Sequence, residues 1–365
     1  MEKPLILVAA GDPSGDLHGA RLVRALRAGG ARVAAVGGPL MRAEADEFLE
    51  DLASRALTGF WEPLAQAGFL LGLALRLRRF LRARRPAALV CIDYYGFNRR
   101  LLGLAKSAGV PAFYFISPQV WASRPGRVSA LKRLVRRMLV IFPFEERLYR
   151  EAGVPVSFVG HPLLDLVPSP RAAAAAGTPL NVGLLPGSRS SEVSRHLPIF
   201  LDALRRIRQR HPGARALVFA SPHLPDAAYA AAAGAAEVVR ETDYARRAGM
   251  DIVLCSSGTA TLENALLGLP MVVVYKLSWL SYAVARAIIR VPYIAMANIL
   301  AGRALVPELV QHDATPERVA RAALELLEDP GRYARLRQDL LALRAALGEP
   351  GAARRAAAAV LGALS

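Results

Sequence analysis

Short apolar runs alternate with helical stretches along most of this chain, and that alternation limits the folds it can adopt. The runs at 5–10, 32–36, 88–92, 112–116 and 138–142 contain few polar residues. Runs of this length and composition are typical of strands buried on both faces of a parallel sheet. Because a strand, a helix and a second parallel strand form a right-handed unit, this part of the chain is predicted to be a doubly wound α/β domain.

The alternation stops near residue 170 and then restarts. Residues 167–179 contain three prolines, an alanine run and a glycine, which predicts a linker. The predicted domains are 1–166 and 180–338, and 339–365 forms a helical tail that crosses back to the first domain or to a neighbouring subunit. The predicted fold class is α/β, with two Rossmann-like parallel sheets facing a central cleft. Further strands are predicted at 214–219, 236–239, 251–255 and 270–275, after a first one at 181–185.

The chain carries 47 lysines and arginines against 30 acidic residues, a net charge of +17 over 365 residues. This excess favours an anionic partner such as phosphate groups, nucleic acid or an acidic membrane surface. The segment 65–81 is nearly all apolar, with Arg76, Arg78 and Arg79 inside it, and it is followed by Arg82, Arg84 and Arg85. That pattern fits a helix at an anionic membrane interface, and also a buried helix with solvated arginines. No apolar run reaches the roughly 20 residues that span a bilayer, so a cytosolic protein or one on a membrane face is predicted.

Polar residues follow the first and third predicted strands. The loop 11–16 contains Asp12, Ser14, Gly15 and Asp16, and it precedes a helix. Its two carboxylates would repel phosphate and are better suited to sugar hydroxyls; the alternative is a tight turn that caps the helix. Asp93 directly follows the run 88–92. A carboxylate at this end of a strand can face the cleft and act as a general base, or it can cap the next helix.

Three more residues are candidates for the same cleft. Asn98 follows Asp93 by five residues and is predicted to position other groups. Gln119 and Trp121 follow the run 112–116. They offer a hydrogen-bonding group and an apolar face, although Trp121 is also a candidate core residue.

Two loops of the second domain combine small residues with the start of a helix. Ser188 and Arg189 end the sequence Pro-Gly-Ser-Arg, which suits a diphosphate because backbone N–H groups and a guanidinium both bind phosphate oxygens. The backbone of 258–260 (Gly258, Thr259, Ala260) offers similar N–H groups, and Glu263 can bind the two hydroxyls of a ribose. A nucleotide diphosphate sugar is therefore the predicted donor. No Asp-x-Asp pair is present, so neither a metal nor another cofactor is predicted.

Eight motifs occur in the order found in the lipid-A-disaccharide synthase family, which the chain resembles from about residue 5 to about residue 325. They include Gly-Asp-Pro-Ser-Gly-Asp at 11–16, Phe-Pro-Phe-Glu at 142–145, Gly-His-Pro at 160–162 and Asn-Ile-Leu-Ala-Gly-Arg at 298–303. The others lie at 92–98, 116–128, 184–189 and 257–263.

The resemblance implies a GT-B-type inverting glycosyltransferase that needs no metal. Such an enzyme joins UDP-2,3-diacylglucosamine to 2,3-diacylglucosamine 1-phosphate through a β-1,6 bond and releases UDP. It works on the inner face of the cytoplasmic membrane, whose anionic surface is a further partner, and the first domain would face the acceptor and the membrane. The resemblance makes Asp93 the base and places Arg189, Glu263 and Asn298 in the donor site. No nucleic-acid signature is present, and a homodimer is left open.

The sequence departs from the family pattern at three positions. Asp12 replaces a glutamate, Gly96 stands where a second aspartate is usual, and Ser123 replaces a tryptophan. These changes concern acceptor or acyl-chain specificity more than the fold. Two alternatives remain: another UDP-sugar transferase or epimerase on the same fold, and a basic protein that binds membranes or nucleic acid without catalysis.

Overall fold

The computed structural model describes residues 3–54, 63–123, 126–170, 179–279, 282 and 291–364. The chain divides into two compact units. The first contains Met1–Pro162 and Leu347–Ser365, and the second contains Leu163–Ala346. Most of the predicted linker, and most of an apolar and basic stretch at 279–290, lie outside the described residues.

Seven parallel strands form the sheet of the first unit, in the order β3-β2-β1-β4-β5-β6-β7. Every residue of β4 and β5 is buried, which explains why these strands are apolar at successive positions rather than alternating. The strands are β1 (Leu5–Ala10), β2 (Arg32–Gly37), β3 (Glu47–Asp51), β4 (Ala88–Ile92), β5 (Ala112–Phe115), β6 (Arg137–Val140) and β7 (Val156–Phe158).

Helices connect these strands. The first begins where the Asp12 carboxylate accepts a hydrogen bond from the Gly15 N–H at 2.6 Å, with Pro13 in the first turn. The helices are α1 (Pro13–Ala28), α2 (Pro39–Glu44), α3 (Pro63–Arg84), α4 (Tyr95–Ser107), α5 (Val120–Ser123), α6 (Arg127–Leu134) and α7 (Pro143–Glu151).

The second unit contains a six-stranded parallel sheet in the order β10-β9-β8-β11-β12-β13. Its strands are β8 (Asn181–Leu185), β9 (Arg215–Ala220), β10 (Glu237–Arg240), β11 (Ile252–Ser256), β12 (Met271–Tyr275) and β13 (Glu308–Val310). Its helices are α8 (Ser190–Arg210), α9 (Tyr244–Arg247), α10 (Thr259–Leu266), α11 (Met296–Ala301), α12 (Pro316–Leu327) and α13 (Pro330–Ala346). Short 3₁₀ segments lie at Pro162–Asp165 and Asp226–Ala232.

The last helix, α14 (Ala352–Leu361), belongs to the first unit and packs against α1. The returning chain is fixed there by two hydrogen bonds. The His161 N–H donates to the Leu347 carbonyl at 3.0 Å, and Arg355 Nε donates to the Val159 carbonyl at 2.8 Å. The predicted tail at 339–365 thus contains the end of α13 and the whole of α14, and only α14 belongs to the first unit.

The predicted α/β class with two doubly wound parallel sheets is confirmed. Strands β1, β4 and β8 begin and end where predicted, and the other predicted strands differ by at most two residues. The prediction misses β3, β7 and β13, all of which are edge strands.

Each sheet reverses its strand order once, and the reversal determines where ligands can bind. In the first unit β1 lies between β2 and β4, with Ala10 paired to Ile92. In the second unit β8 lies between β9 and β11, with Leu185 paired to Cys255. Sheets of this kind bind ligands beyond the carboxyl ends of the strands at such a reversal. The loops that the sequence singled out therefore lie at the expected place in each unit.

Candidate active site

Backbone strain is concentrated at the carboxyl ends of β4 and β5. Asp93 and Tyr94 have φ angles of 43° and 38°, and Ile116 has a φ of 61°. These are three of the five non-glycine residues with positive φ in the described part of the chain. Left-handed backbone is costly for such residues, and for a β-branched one above all, and it persists at sites where the surroundings enforce it. The strain thus marks this edge of the sheet as a candidate site.

Side chains of neighbouring elements hold the Asp93 turn in place. Asn98 Nδ2 donates to the carbonyls of Ile92 at 3.0 Å and of Asp93 at 2.8 Å, and the Tyr114 hydroxyl also donates to the Asp93 carbonyl. On the other side, a methyl group at Gly11 would lie 2.0 Å from the Tyr94 ring. Glycine is therefore required at position 11 for the two loops to lie side by side. Asn98 thus connects α4 to the Asp93 turn through two hydrogen bonds.

The environment of the Asp93 carboxyl favours proton exchange near neutral pH. Burial and, secondly, the negative charge of Asp12 raise its pKa to about 6, and a hydrogen bond from the Tyr94 N–H partly opposes this rise. The side chain is only partly buried. A carboxylate with this pKa is ionised at neutral pH and can accept a proton from a bound hydroxyl group.

The other loop carboxylate, Asp16, has a different role. It is 3% exposed, and its oxygens accept hydrogen bonds from the N–H groups of Gly38, Leu40 and Met41 at 2.8–3.0 Å. It thereby fixes the start of α2 against the loop after β1. Ser14 is exposed at the beginning of α1, and the Gly15 N–H is occupied by Asp12.

A buried glutamate stabilises the segment that follows β5. Glu145 is 1% exposed and accepts hydrogen bonds from Trp121 Nε1 at 3.2 Å and from the N–H groups of Ile141 and Phe142. Burial raises its pKa to about 8. Gln119 is exposed beside this assembly. In the sequence Glu145 is recognisable only as the last residue of the motif Phe-Pro-Phe-Glu, and its contact with Trp121 could not be inferred because the two lie 24 residues apart.

Gly96, where the family usually has an aspartate, is exposed in the first turn of α4. A Cβ atom at this position would have no heavy atom within 4 Å. Packing therefore does not impose glycine here, and a carboxylate would fit.

In the second unit, the loop after β8 is organised by Glu192. Its Oε2 accepts hydrogen bonds from the N–H groups of Ser188 at 3.1 Å and Arg189 at 3.3 Å, and its Oε1 accepts one from Arg189 Nη1 at 2.9 Å. The Ser188 and Arg189 N–H groups thus have a partner within their own loop. The Arg189 side chain is 75% exposed, so its guanidinium is the group of this loop that a ligand can reach.

A buried histidine connects this loop to the end of β12. His196 Nδ1 lies 2.8 Å from the Pro186 carbonyl, and His196 Nε2 lies 3.0 Å from the Lys276 N–H. These partners require the neutral ring with its proton on Nδ1, and burial lowers the pKa of His196. Sequence reasoning missed this residue because its two partners are 10 and 80 positions away.

The loop after β11 begins α10 at Gly258. Gly258 has φ 139° and ψ −159°, a backbone conformation that is essentially restricted to glycine. The described residues provide no hydrogen-bond partner for the N–H groups of Gly258, Thr259 and Ala260. Glu263 lies one turn into α10, where it pairs with Arg247 at 2.8 Å. The loop therefore presents a row of N–H groups next to a fixed carboxylate.

Asn298 is 1% exposed and uses its whole side chain within the second unit. Its Nδ2 donates to the Val306 carbonyl and to Glu308, and its Oδ1 accepts from the N–H groups of Leu305 and Val306, all at 2.8–2.9 Å. Glu308 in turn accepts from the N–H groups of Ile294 and Ala295. Asn298 thus ties the segment before α11 to the segment after it.

Solved structures of similar architecture define the type of fold. The UDP-GlcNAc 2-epimerase from Neisseria meningitidis, solved with UDP-GlcNAc, aligns with a TM-score of 0.65 at 11% identity over 99% of this chain and 100% of the other. The glycosyltransferase of kitacinnamycin aligns with a TM-score of 0.62 at 19% identity over the full length of both. The fold is therefore the GT-B type of two-domain glycosyltransferases and related epimerases.

Sequence comparison specifies the family. The family model for lipid-A-disaccharide synthetase matches residues 6–362. Lipid-A-disaccharide synthases from Syntrophus aciditrophicus and Geobacter metallireducens are 41% and 43% identical, over 99% and 98% of this chain and 98% and 96% of their own lengths. The chain belongs to the lipid-A-disaccharide synthase family, and it is a glycosyltransferase. The epimerase and non-catalytic alternatives are therefore not supported.

Proposed function

We propose that this enzyme joins UDP-2,3-diacylglucosamine to 2,3-diacylglucosamine 1-phosphate with inversion at the anomeric carbon. The observation that carries the proposal is Asp93, a partly buried carboxylate with a pKa of about 6 in a strained turn at the strand-order reversal of the first unit. Family membership supports the choice of both substrates.

In the proposed reaction Asp93 takes the proton from the 6-hydroxyl of the acceptor. The hydroxyl oxygen attacks the anomeric carbon of the donor, and the bond from that carbon to the diphosphate breaks with both electrons going to UDP. Because a single displacement occurs, an α-linked donor gives a β-linked product. General-base catalysis of this kind contributes about 10²–10⁴-fold to the rate.

The second unit would bind the donor. The exposed Arg189 guanidinium and the N–H groups of 258–260 suit a diphosphate, because preorganised donors stabilise charge that develops on the leaving group. Glu263 would accept hydrogen bonds from the ribose hydroxyls. Asn298 would contribute indirectly, because its hydrogen bonds fix the chain on both sides of α11.

The first unit would bind the acceptor. Asp12, Ser14 and Gly15 lie on the loop beside Asp93, and Asp16 holds that loop against α2. Asn98 positions the Asp93 turn. Gln119 lies on the loop after the neighbouring strand, and Trp121 lies in the short helix α5 that follows this loop. These groups offer hydrogen-bond partners and an apolar surface for an acylated sugar.

The stereochemistry of the product tests this function. Two-dimensional NMR of the disaccharide made from α-linked donor is expected to show a β configuration at the new linkage and a substituted acceptor C6. An α linkage would contradict the single displacement, and attachment at another carbon would contradict the assignment of the nucleophile.

We expect kcat/KM to rise as the pH increases through about 6, because the base must be ionised and its pKa is raised to about 6 by burial and by Asp12. In Asp12→Asn the neighbouring charge is removed, so the rising limb should move to lower pH. A pH–rate profile with Asp202→Asn, an exposed control in the second unit, checks this. If the rising limb of the pH–rate profile lies at the same pH in Asp12→Asn, the charge of Asp12 does not raise the pKa of the base.

We also propose that α3 docks on an anionic membrane. None of the helices in the described ranges has the length and apolarity to cross a bilayer. Leu73 and Leu77 of α3 are buried in the first unit, whereas Leu71 is 61% and Leu75 49% exposed. The exposed side continues along the helix with Arg79 and Arg82, spaced for one face. Apolar and then basic exposed residues fit an amphipathic interface helix at the inner face of the cytoplasmic membrane.

The double variant Leu71→Ser/Leu75→Ser is expected to bind anionic vesicles about thirtyfold more weakly, since each leucine loses roughly 1 kcal/mol of burial and the two losses add to roughly 2 kcal/mol. Co-sedimentation measures this. Val238→Ser, an exposed apolar residue of the second unit, is the control. Equal binding of the double variant and the unmodified enzyme would contradict the proposal that α3 docks on the membrane.

A further inference from the structure

Arg247 is buried beside the proposed donor site, and each of its three guanidinium nitrogens donates a hydrogen bond there. It is 1% exposed. Its Nη1 donates to Glu263 Oε2 at 2.8 Å, its Nε to Asn264 Oδ1 at 2.8 Å and its Nη2 to the Ala260 carbonyl at 3.1 Å. By comparison, the arginine of the neighbouring Arg246–Glu237 pair is 41% exposed. Since burying a charge is expensive unless it is paired and hydrogen-bonded, this pair is a specific feature of the site.

A second residue of the same short helix holds the other oxygen of the carboxylate. The Tyr244 hydroxyl donates to Glu263 Oε1 at 3.0 Å. Tyr244 and Arg247 are the first and last residues of α9, three positions apart, and both side chains converge on Glu263. One oxygen is thus fixed by a neutral hydroxyl and the other by a charged guanidinium.

The carboxylate retains the capacity to bind a ligand. An ionised carboxylate has about four acceptor positions, and two of them are used by Tyr244 and Arg247. The Glu263 side chain remains 16% exposed, next to the N–H groups at the start of α10. The fixed orientation therefore leaves acceptor positions directed toward solvent at a defined place.

We infer that Tyr244 and Arg247 are positioning residues that orient Glu263 to distinguish ribose from deoxyribose in the nucleotide. The inference rests on the proposed contact between Glu263 and the ribose. A carboxylate held at both oxygens keeps one orientation, so a missing ribose hydroxyl leaves an acceptor unpaired. A carboxylate free to rotate would adapt to either sugar.

A purely structural ion pair would behave differently. It would affect folding and the amount of active enzyme, and it would change the affinities for all nucleotides equally. The ratio of Kd for 2′-deoxy-UDP to Kd for UDP separates the two cases, because it does not depend on the active fraction. The donor KM is expected to rise in the positioning variants, whereas kcat at saturating donor changes little.

The experiment measures both Kd values by titration calorimetry in Tyr244→Phe, Arg247→Lys and Glu263→Gln. Tyr244→Phe removes one hydroxyl and leaves the ion pair, so it folds even if the Arg247 variant does not. Tyr333→Phe is the matched control, because its hydroxyl donates to the Asp251 carbonyl and not to the donor site. In Tyr244→Phe the loss of one hydrogen bond predicts an approximately fivefold smaller Kd ratio. The Kd ratio should not change in Tyr333→Phe. It should be near one in Glu263→Gln.

The outcomes separate this inference from the proposed function. If Glu263→Gln abolishes the discrimination but Tyr244→Phe and Arg247→Lys retain it fully, the positioning role is overturned and the ribose contact stands. If Glu263→Gln retains the discrimination, Glu263 does not contact the ribose. The proposed ribose contact and the positioning role are then both overturned. Tyr244→Phe should lower the Kd ratio in the unmodified enzyme but should not change it further when Glu263→Gln is also present. That result establishes that Tyr244 acts through Glu263.

Discussion

Asp93→Asn is expected to bind UDP with unchanged affinity and to lose turnover by about 10²–10⁴-fold. Asparagine has the shape of aspartate, so the strained turn held by Asn98 and Tyr114 should persist. It cannot accept the proton of the acceptor hydroxyl, which must then leave to water. The loss should fall on kcat, because the affected interaction exists only in the transition state.

Single-turnover kinetics and UDP titration check this expectation. Asp202→Asn is the control, since it makes the same substitution at an exposed carboxylate of the second unit and leaves the base in place. Turnover of Asp93→Asn within a few-fold of the unmodified enzyme would exclude Asp93 as the base. A loss of UDP binding would show instead that the substitution had disturbed more than the chemistry.

Asn298→Ala is expected to destabilise the second unit by about 3 kcal/mol, because it leaves buried partners of four hydrogen bonds without a substitute. For a unit of this size that corresponds to a fall of roughly 6–12 °C in Tm. The UDP affinity of the folded fraction should change little. The reason is that the side chain is already saturated within the protein.

Thermal unfolding and calorimetric titration separate the two roles of Asn298. Asn181→Ala is a suitable control in the same unit, because its amide makes only long contacts of 3.3 and 3.5 Å. An unchanged Tm together with much weaker UDP binding would contradict the structural role and indicate a direct contact with the donor.

The interior of both sheets could be predicted because a strand buried on both faces has only apolar residues. The three edge strands that the prediction misses do not meet that condition. β3 reads Glu-Phe-Leu-Glu-Asp, and none of its residues is fully buried. β7 and β13 have three residues each, too few for a pattern. Their pairing is decided by the sheet that they join and not by their own composition.

The site loops could be predicted because glycine and polar residues directly after an apolar run mark the carboxyl end of a strand. The residues that support the site could not be. Arg247 is 16 positions from Glu263, and Glu145 is 24 positions from Trp121. In sequence, a buried arginine or glutamate looks the same as one on the surface. Only the fold shows that their charges are enclosed and paired.

The most direct test of the account is UDP release by the purified enzyme from UDP-2,3-diacylglucosamine, measured in detergent with EDTA. We expect release that depends on added 2,3-diacylglucosamine 1-phosphate, that persists in EDTA and that is lost in Asp93→Asn. Binding of UDP without any acceptor-dependent release would contradict the proposed reaction, and the open position at Gly96 would then be the first place to examine.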